Sequence, residues 1–138
     1  MKRLSIITVM MLMLVTVTTS VSAKPKKDKK VEALYIFGMA ASFNDSTVYF
    51  TDIQQIRNVW MDGKKRFVKY GNEYSTQLRN YLEDRGMPKR VCTVFYDRKL
   101  KKAQKRYNKL KSKYAKTGKY DIRNVDMSDF QFQAVDNN

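Results

Sequence analysis

Between Arg98 and Lys116 the chain reads RKLKKAQKRYNKLKSKYAK, with ten basic residues and no acid. Side chains of one sign at that density set up a field that attracts anions. Solubility alone is normally served by interspersing both signs. Here like charges also fall at i,i+4 spacing, as in Lys101–Lys105 and Lys105–Lys109. Each such pair costs a few tenths of a kcal/mol in a helix. The candidate anion-binding residues are Lys101, Lys102, Lys105, Lys109, Lys113 and Lys116. Two readings fit the run: a solvated helix face with no dedicated partner, and a binding face for a polyanion.

Other chemistries find little material. The chain has no histidine, which excludes histidine-based triads and histidine metal sites. Its glycines, Gly38, Gly63, Gly71, Gly86 and Gly118, are isolated, so there is no phosphate-cradling loop. Asp45, Asp52, Asp62, Glu73, Glu83 and Asp84 could supply a pair of carboxylates, but their spacing brings no two together. The stretch FNDSTVYF (residues 43–50) would expose Asn44, Asp45 and Ser46 beside tyrosine, a candidate carboxylate/tyrosine site. A tight turn asks for the same residue types. YIF (Tyr35–Phe37) and VYF (Val48–Phe50) stand ten residues apart, a spacing similar to the strand motifs of GIY-YIG nucleases. The glycines that name that family are missing at both places, and a hairpin of aromatic strands gives the same spacing. Cys92, the single cysteine, lies in VCTVFY and reads as a small buried hydrophobe with no histidine to activate it. No cofactor and no metal are expected.

The first residues indicate where the chain goes. Lys2 and Arg3 precede an apolar run from Leu4 to about Val17, and a small polar stretch ends in Val21-Ser22-Ala23. That succession reads as a secretory signal peptide over residues 1–23, cleaved after Ala23. The apolar run is shorter than the roughly 20 residues a membrane span needs, so no transmembrane span is expected in the mature chain. Residues 24–31 follow as a lysine-rich tether read as disordered, and residues 32–138 as a single domain. The whole chain carries a net charge of +15. The excess lies in the tether and in residues 98–116, and the remainder is nearly neutral. Export to the periplasm or beyond separates the chain from most nucleic acid. The expected polyanion is therefore an envelope component: lipopolysaccharide, anionic lipid or acidic glycan. The function class expected is a non-enzymatic binding module. The alternative is a small envelope enzyme with its site near the 43–50 hairpin.

The elements that position these residues follow from periodicity. Glu32–Phe43 is apolar on both alternating sets and reads as a buried central strand. Asn44–Ser46 is a turn, and Thr47–Ile53, β-branched and aromatic, is the returning strand. Residues 57–71 read mostly as loop. Asn72 is a candidate N-cap for a helix through Arg85, with Gly86 and Pro88 as its stop. Arg90–Tyr96 is a third strand. Asp97 is a candidate N-cap for the basic helix, which ends near Thr117-Gly118. In that helix Leu100, Ala103, Tyr107, Leu110 and Tyr114 fall within an arc of about 80°, an apolar stripe opposite the lysines. Tyr120–Val125 is a fourth strand, and Phe130–Val135 alternates like a short edge strand. The order β-β-α-β-α-β implies an α+β two-layer sandwich. Its mostly antiparallel sheet carries two helices on one face, and the last strand-helix-strand unit is a parallel crossover. The segments YIFGMAASFNDSTVYFTDIQ (Tyr35–Gln54), YSTQLRNYL (Tyr74–Leu82) and VCTVFY before a Lys/Tyr-rich helix resemble a group of small exported proteins of Bacteroidetes. That group has no established function. The resemblance implies an envelope or secreted location and supplies no catalytic residues.

Overall fold

The structure, a computed structural model, describes residues 27–63 and 67–136. The expected signal peptide and the start of the tether lie outside the described residues. The elements run β1 (Lys29–Ala41), β2 (Thr47–Thr51), β3 (Gln54–Met61), α1 (Gly71–Asp84), β4 (Val91–Asp97), α2 (Leu100–Lys116) and β5 (Asp121–Val125). The fold is mixed α+β, an open and mostly antiparallel five-stranded sheet with two helices, in the order the sequence implies. Lys29, Lys30 and Val31, expected in the tether, already belong to β1 and pair with Met61, Trp60 and Val59. The tether is shorter than its composition suggests.

β1 is the axis of the sheet. On one edge it pairs antiparallel with β4 from Tyr35 to Ala41. On the other it pairs with β2 and then with β3. Between the pairs Met39↔Phe50 and Ile36↔Gln54, β1 moves three residues while its partner moves four. The one extra residue is a β-bulge at Thr51–Ile53 that joins β2 and β3 into one bent strand. β3 runs into the stretch from residue 57 that reads mostly as loop with room for a short strand or helical turn. Its period-two signal is broken because its buried residues Ile56 and Val59 are three apart. Asn58, between them, has a φ of 56°, and there the side-chain alternation changes parity.

β5 pairs with β2 in parallel, from Thr47↔Asp121 to Thr51↔Val125. β2 and β4 both oppose β1, so β4 and β5 run parallel and α2 crosses over the two strands between them. The parallel crossover is present as expected.

The two helices do not share a face. Phe37 stacks on Phe95 at 5.2 Å and meets Tyr107 of α2 edge-on at 5.1 Å. A Cβ on the next residue, Gly38, would lie 2.6 Å from Leu78 of α1 and 3.2 Å from Phe132. Successive residues of a strand point to opposite faces. α1 and α2 therefore cover opposite sides of the sheet, and the architecture has three layers where two were expected. The unbroken apolar run in β1 is the cause, since a strand covered on both faces has no polar set.

On the α1 side Leu34, Ile36, Tyr74, Leu78 and Leu82 are fully buried. The chain after β5 completes that layer. It was expected as an edge strand, yet Phe130–Val135 forms no ladder. Two glutamine side chains replace one. The Gln54 amide donates to Phe130 O at 2.9 Å and accepts from Phe132 N–H at 2.8 Å. Gln77 clasps Gln133 in the same way, at 2.9 and 2.8 Å. The Tyr74 hydroxyl accepts from Val135 N–H. Phe130 and Phe132 are thereby held in the core, 8% and 4% exposed.

The helix ends differ in detail from expectation. α1 starts before Asn72, from Tyr70 at a φ of 66°, whose carbonyl accepts from Glu73 and Tyr74 N–H groups. Asn72 lies in the first turn. At the other end Gly86, with a φ of 77°, lets Met87 N–H reach Leu82 O and its own N–H reach Glu83 O. This is the glycine-dependent stop that the sequence implies. Asp97 ends β4, and its carboxylate accepts the Lys99 N–H at 2.9 Å, ahead of the first residue of α2.

Candidate functional site

α2 docks through few residues. Ala103 is its one buried side chain. A methyl side chain lets the helix approach the sheet closely, and Tyr107 and Tyr114 both reach Phe50 of the sheet. Tyr107 meets Phe37 at 5.1 Å and Phe50 at 5.9 Å, while Tyr114 meets Phe50 at 6.2 Å and Tyr120 at 5.1 Å. The apolar stripe is the docked side, as expected, but it is shallower. Leu110 is only partly buried, and Leu100 is 41% exposed.

The opposite side of α2 is open. Lys101, Lys102, Lys105, Lys109, Lys113 and Lys116 are all exposed, as are Lys99 and Arg106. Among the described residues the ion pairs are Lys69–Asp28, Arg90–Asp45 and Arg123–Asp121, and none involves α2. Lys111, expected on the flank, lays its stem along the helix. Its ammonium sits 5.0 Å over the Tyr107 ring and donates to the Tyr107 hydroxyl. The six candidate lysines thus share one surface, and among the described residues none of them forms an ion pair.

The 43–50 hairpin uses its polar groups internally. Ser42 Oγ accepts the Asn44 N–H, and Asp45 Oδ1 accepts the Thr47 N–H. Arg90, a position with no signal in the sequence, reaches under the turn. Its guanidinium donates to both Asp45 oxygens, at 2.7 and 3.3 Å, and to Thr47 O. It also lies 4.9 Å over the Tyr49 ring. The Thr47 N–H and the Arg90 guanidinium hold the Asp45 carboxyl below its ordinary value near 3.8. A carboxyl depressed in the folded state stabilises the protein above its unfolded pKa. That stability is lost as pH falls through the lower, folded value. Asp45→Asn should therefore lower the unfolding midpoint at neutral pH. The difference from wild type should shrink below about pH 3.8, where the carboxyl of the unfolded wild-type chain begins to protonate. Urea titrations at several pH values read this, and a deficit that persisted unchanged to about pH 2 would show that the charge is not involved.

Cys92 lies in β4, partly buried, and burial pushes its thiol up, away from the reactive thiolate. A concavity of about 680 Å³ was not legible in the sequence. It opens where β4 ends and β1 continues without a partner on that edge. Glu32 and Asp97 line it together with Arg98, Lys99 and Lys102. Asp97 is committed to the Lys99 N–H, and the Tyr96 hydroxyl at its wall accepts from Val68 N–H. Among the described residues there is no cluster of histidine, cysteine or acidic side chains that could hold a metal ion. No described helix is long and apolar enough to cross a membrane. No protein-family model, curated protein or solved structure matches the chain.

Proposed function

We propose that the protein is an exported, non-enzymatic binding module, periplasmic or secreted, that holds a polyanionic envelope component on the lysine face of α2. The observation that carries this reading is the combination of six exposed lysines on one helix side with the absence of any ion pair to them among the described residues. A face meant only for solvent gains from mixed charge. This one keeps a single sign, while acids such as Asp45 and Asp97 are used in turns elsewhere. The ligand class follows from the geometry: a flat, convex, cationic strip suits an extended polymer or a charged surface better than a small molecule, which needs a concave site.

Binding of this kind is driven by counterion release, so affinity should fall steeply with salt. The test is a salt series with heparin, lipopolysaccharide and vesicles containing phosphatidylglycerol, using chain recovered from cell fractions. Its N-terminus should be Lys24 in a periplasmic or extracellular fraction. An intact Met1 in the cytoplasm would defeat the export part. No binding to any of the three near physiological salt would defeat the binding part.

A further inference from the structure

The two ends of the sheet are unlike. Where β1 turns into β2, four segments converge: the Ser42–Ser46 tip, the start of β4, the start of β5 and the last turn of α2. Ala41 lies opposite Val91, the Asp121 N–H bonds Ser46 O at 2.9 Å, and the Tyr120 and Tyr114 rings are 5.1 Å apart. Phe43 stands at the tip with 98% of its surface exposed, and Val91 and Tyr120 at the same end are 56% and 43% exposed. The turn does not need an aromatic at this position. Its bonds come from Ser42, Asp45 and the Arg90 clamp, so Phe43 is held outward on a rigid mount. Apolar side chains exposed together at one end and rimmed by charge mark a contact surface.

The rim is positive. Asp45 and Asp121 are each paired, with Arg90 and Arg123, and the exposed acids at the end of α1, Glu83 and Asp84, are outnumbered by the lysines at this end. Lys89, Lys113, Lys116 and Lys119 are exposed and form no ion pair among the described residues. Cations around an apolar point fit a bilayer with anionic headgroups: phosphates meet the ammonium groups, and the acyl boundary takes the ring. A soluble polyanion would engage the lysines and leave Phe43 in water.

We infer that this end of the molecule docks on an anionic lipid bilayer with Phe43 inserted beneath the headgroups. This rests on the polyanion reading above and names lipid as the anion. α2 itself does not insert, because its apolar stripe is turned to the sheet. One ring is a weak anchor, and stable attachment takes a second signal. The lysines supply it, each worth about fivefold in affinity near an anionic surface.

The experiment uses the full processed chain with phosphatidylcholine vesicles, with and without phosphatidylglycerol, and heparin in parallel. Phe43→Ser should weaken binding to phosphatidylglycerol vesicles about tenfold or more, as expected for losing one buried aromatic. Heparin binding should not change. Phe43→Trp should show a blue shift in emission on phosphatidylglycerol vesicles only. Phe67→Ser removes a ring, 66% exposed, at the opposite end of β1 and should have no effect. Unchanged vesicle binding by Phe43→Ser, an equal loss in Phe67→Ser, or no blue shift would overturn the inference. So would heparin binding without vesicle binding, which would leave the polyanion reading standing. Binding to neither probe would remove both.

Discussion

Reversing Lys101, Lys105 and Lys109 to Glu is expected to abolish heparin binding and leave the fold intact. The three residues follow one another at i,i+4 spacing, which places them in a row on the helix surface. All are exposed, and none is in an ion pair among the described residues. Each reversal removes one cation that displaces counterions from the ligand and adds one anion that repels it. With screening to about 8 Å at physiological ionic strength, the lysines elsewhere cannot compensate at a distance. For a polyanion as densely charged as duplex nucleic acid, the salt slope becomes shallower by roughly 0.9 for each lysine–anion pair removed. The docked side of α2, Ala103 with Tyr107 and Tyr114, is untouched. Lys109→Glu also puts a carboxylate one helical turn before Lys113, an attractive i,i+4 pair, so the melting temperature should hold or rise slightly. Heparin binding, read beside a circular-dichroism melt, gives both quantities. A folded triple variant that binds like wild type would show that the lysine row is solvated surface.

The second large effect concerns stability. Phe132→Ala should destabilise the protein by about 3–5 kcal/mol, the range for removing a buried phenylalanine. The ring is 4% exposed, lies 4.8 Å from Phe130 and 6.4 Å from Tyr74, and packs where Gly38 has no side chain. Gly38 offers no side chain to fill the space it would leave. Gln54→Leu attacks the same region differently. It strands the Phe130 carbonyl and the Phe132 N–H, each worth roughly 1–3 kcal/mol when buried without a partner. Urea unfolding of both variants measures this. A loss below about 1 kcal/mol for Phe132→Ala would mean that the chain after β5 lies on the core without belonging to it.

Much of the fold was legible where signals were local. The double apolar set of β1 marked a central strand, Gly86 and Gly118 marked helix ends, and the Ala103–Tyr107–Tyr114 spacing gave the docked side of α2. What was hidden depends on long-range partners. Both faces of β1 being apolar meant two covering layers, but that set does not say which helix covers which. β3 was masked by the parity change at Asn58, and its partner strand lies well back in the chain. The glutamine clasps join Gln54 to Phe130 and Phe132, separated by 76 and 78 residues. A glutamine looks the same in sequence whether it faces water or replaces a strand. The lysine row was legible as a pattern, because a helix converts spacing into a surface. The cationic aromatic end was not, because four distant segments meet there only through the sheet topology.

The clasped tail also sets when the protein can fold. The α1-side core is closed by residues that follow every strand and helix of the fold, so a growing chain displays Leu34, Ile36 and Leu78 without their cover until that segment has been made. Contacts that span most of the sequence form slowly, since their loop entropy is lost before the contacts return anything. The nascent chain is therefore kept from committing early to a compact state. That delay suits the proposed export, in which a chain must stay threadable until its far end is across, and the two glutamines then act as the latch that ends the delay.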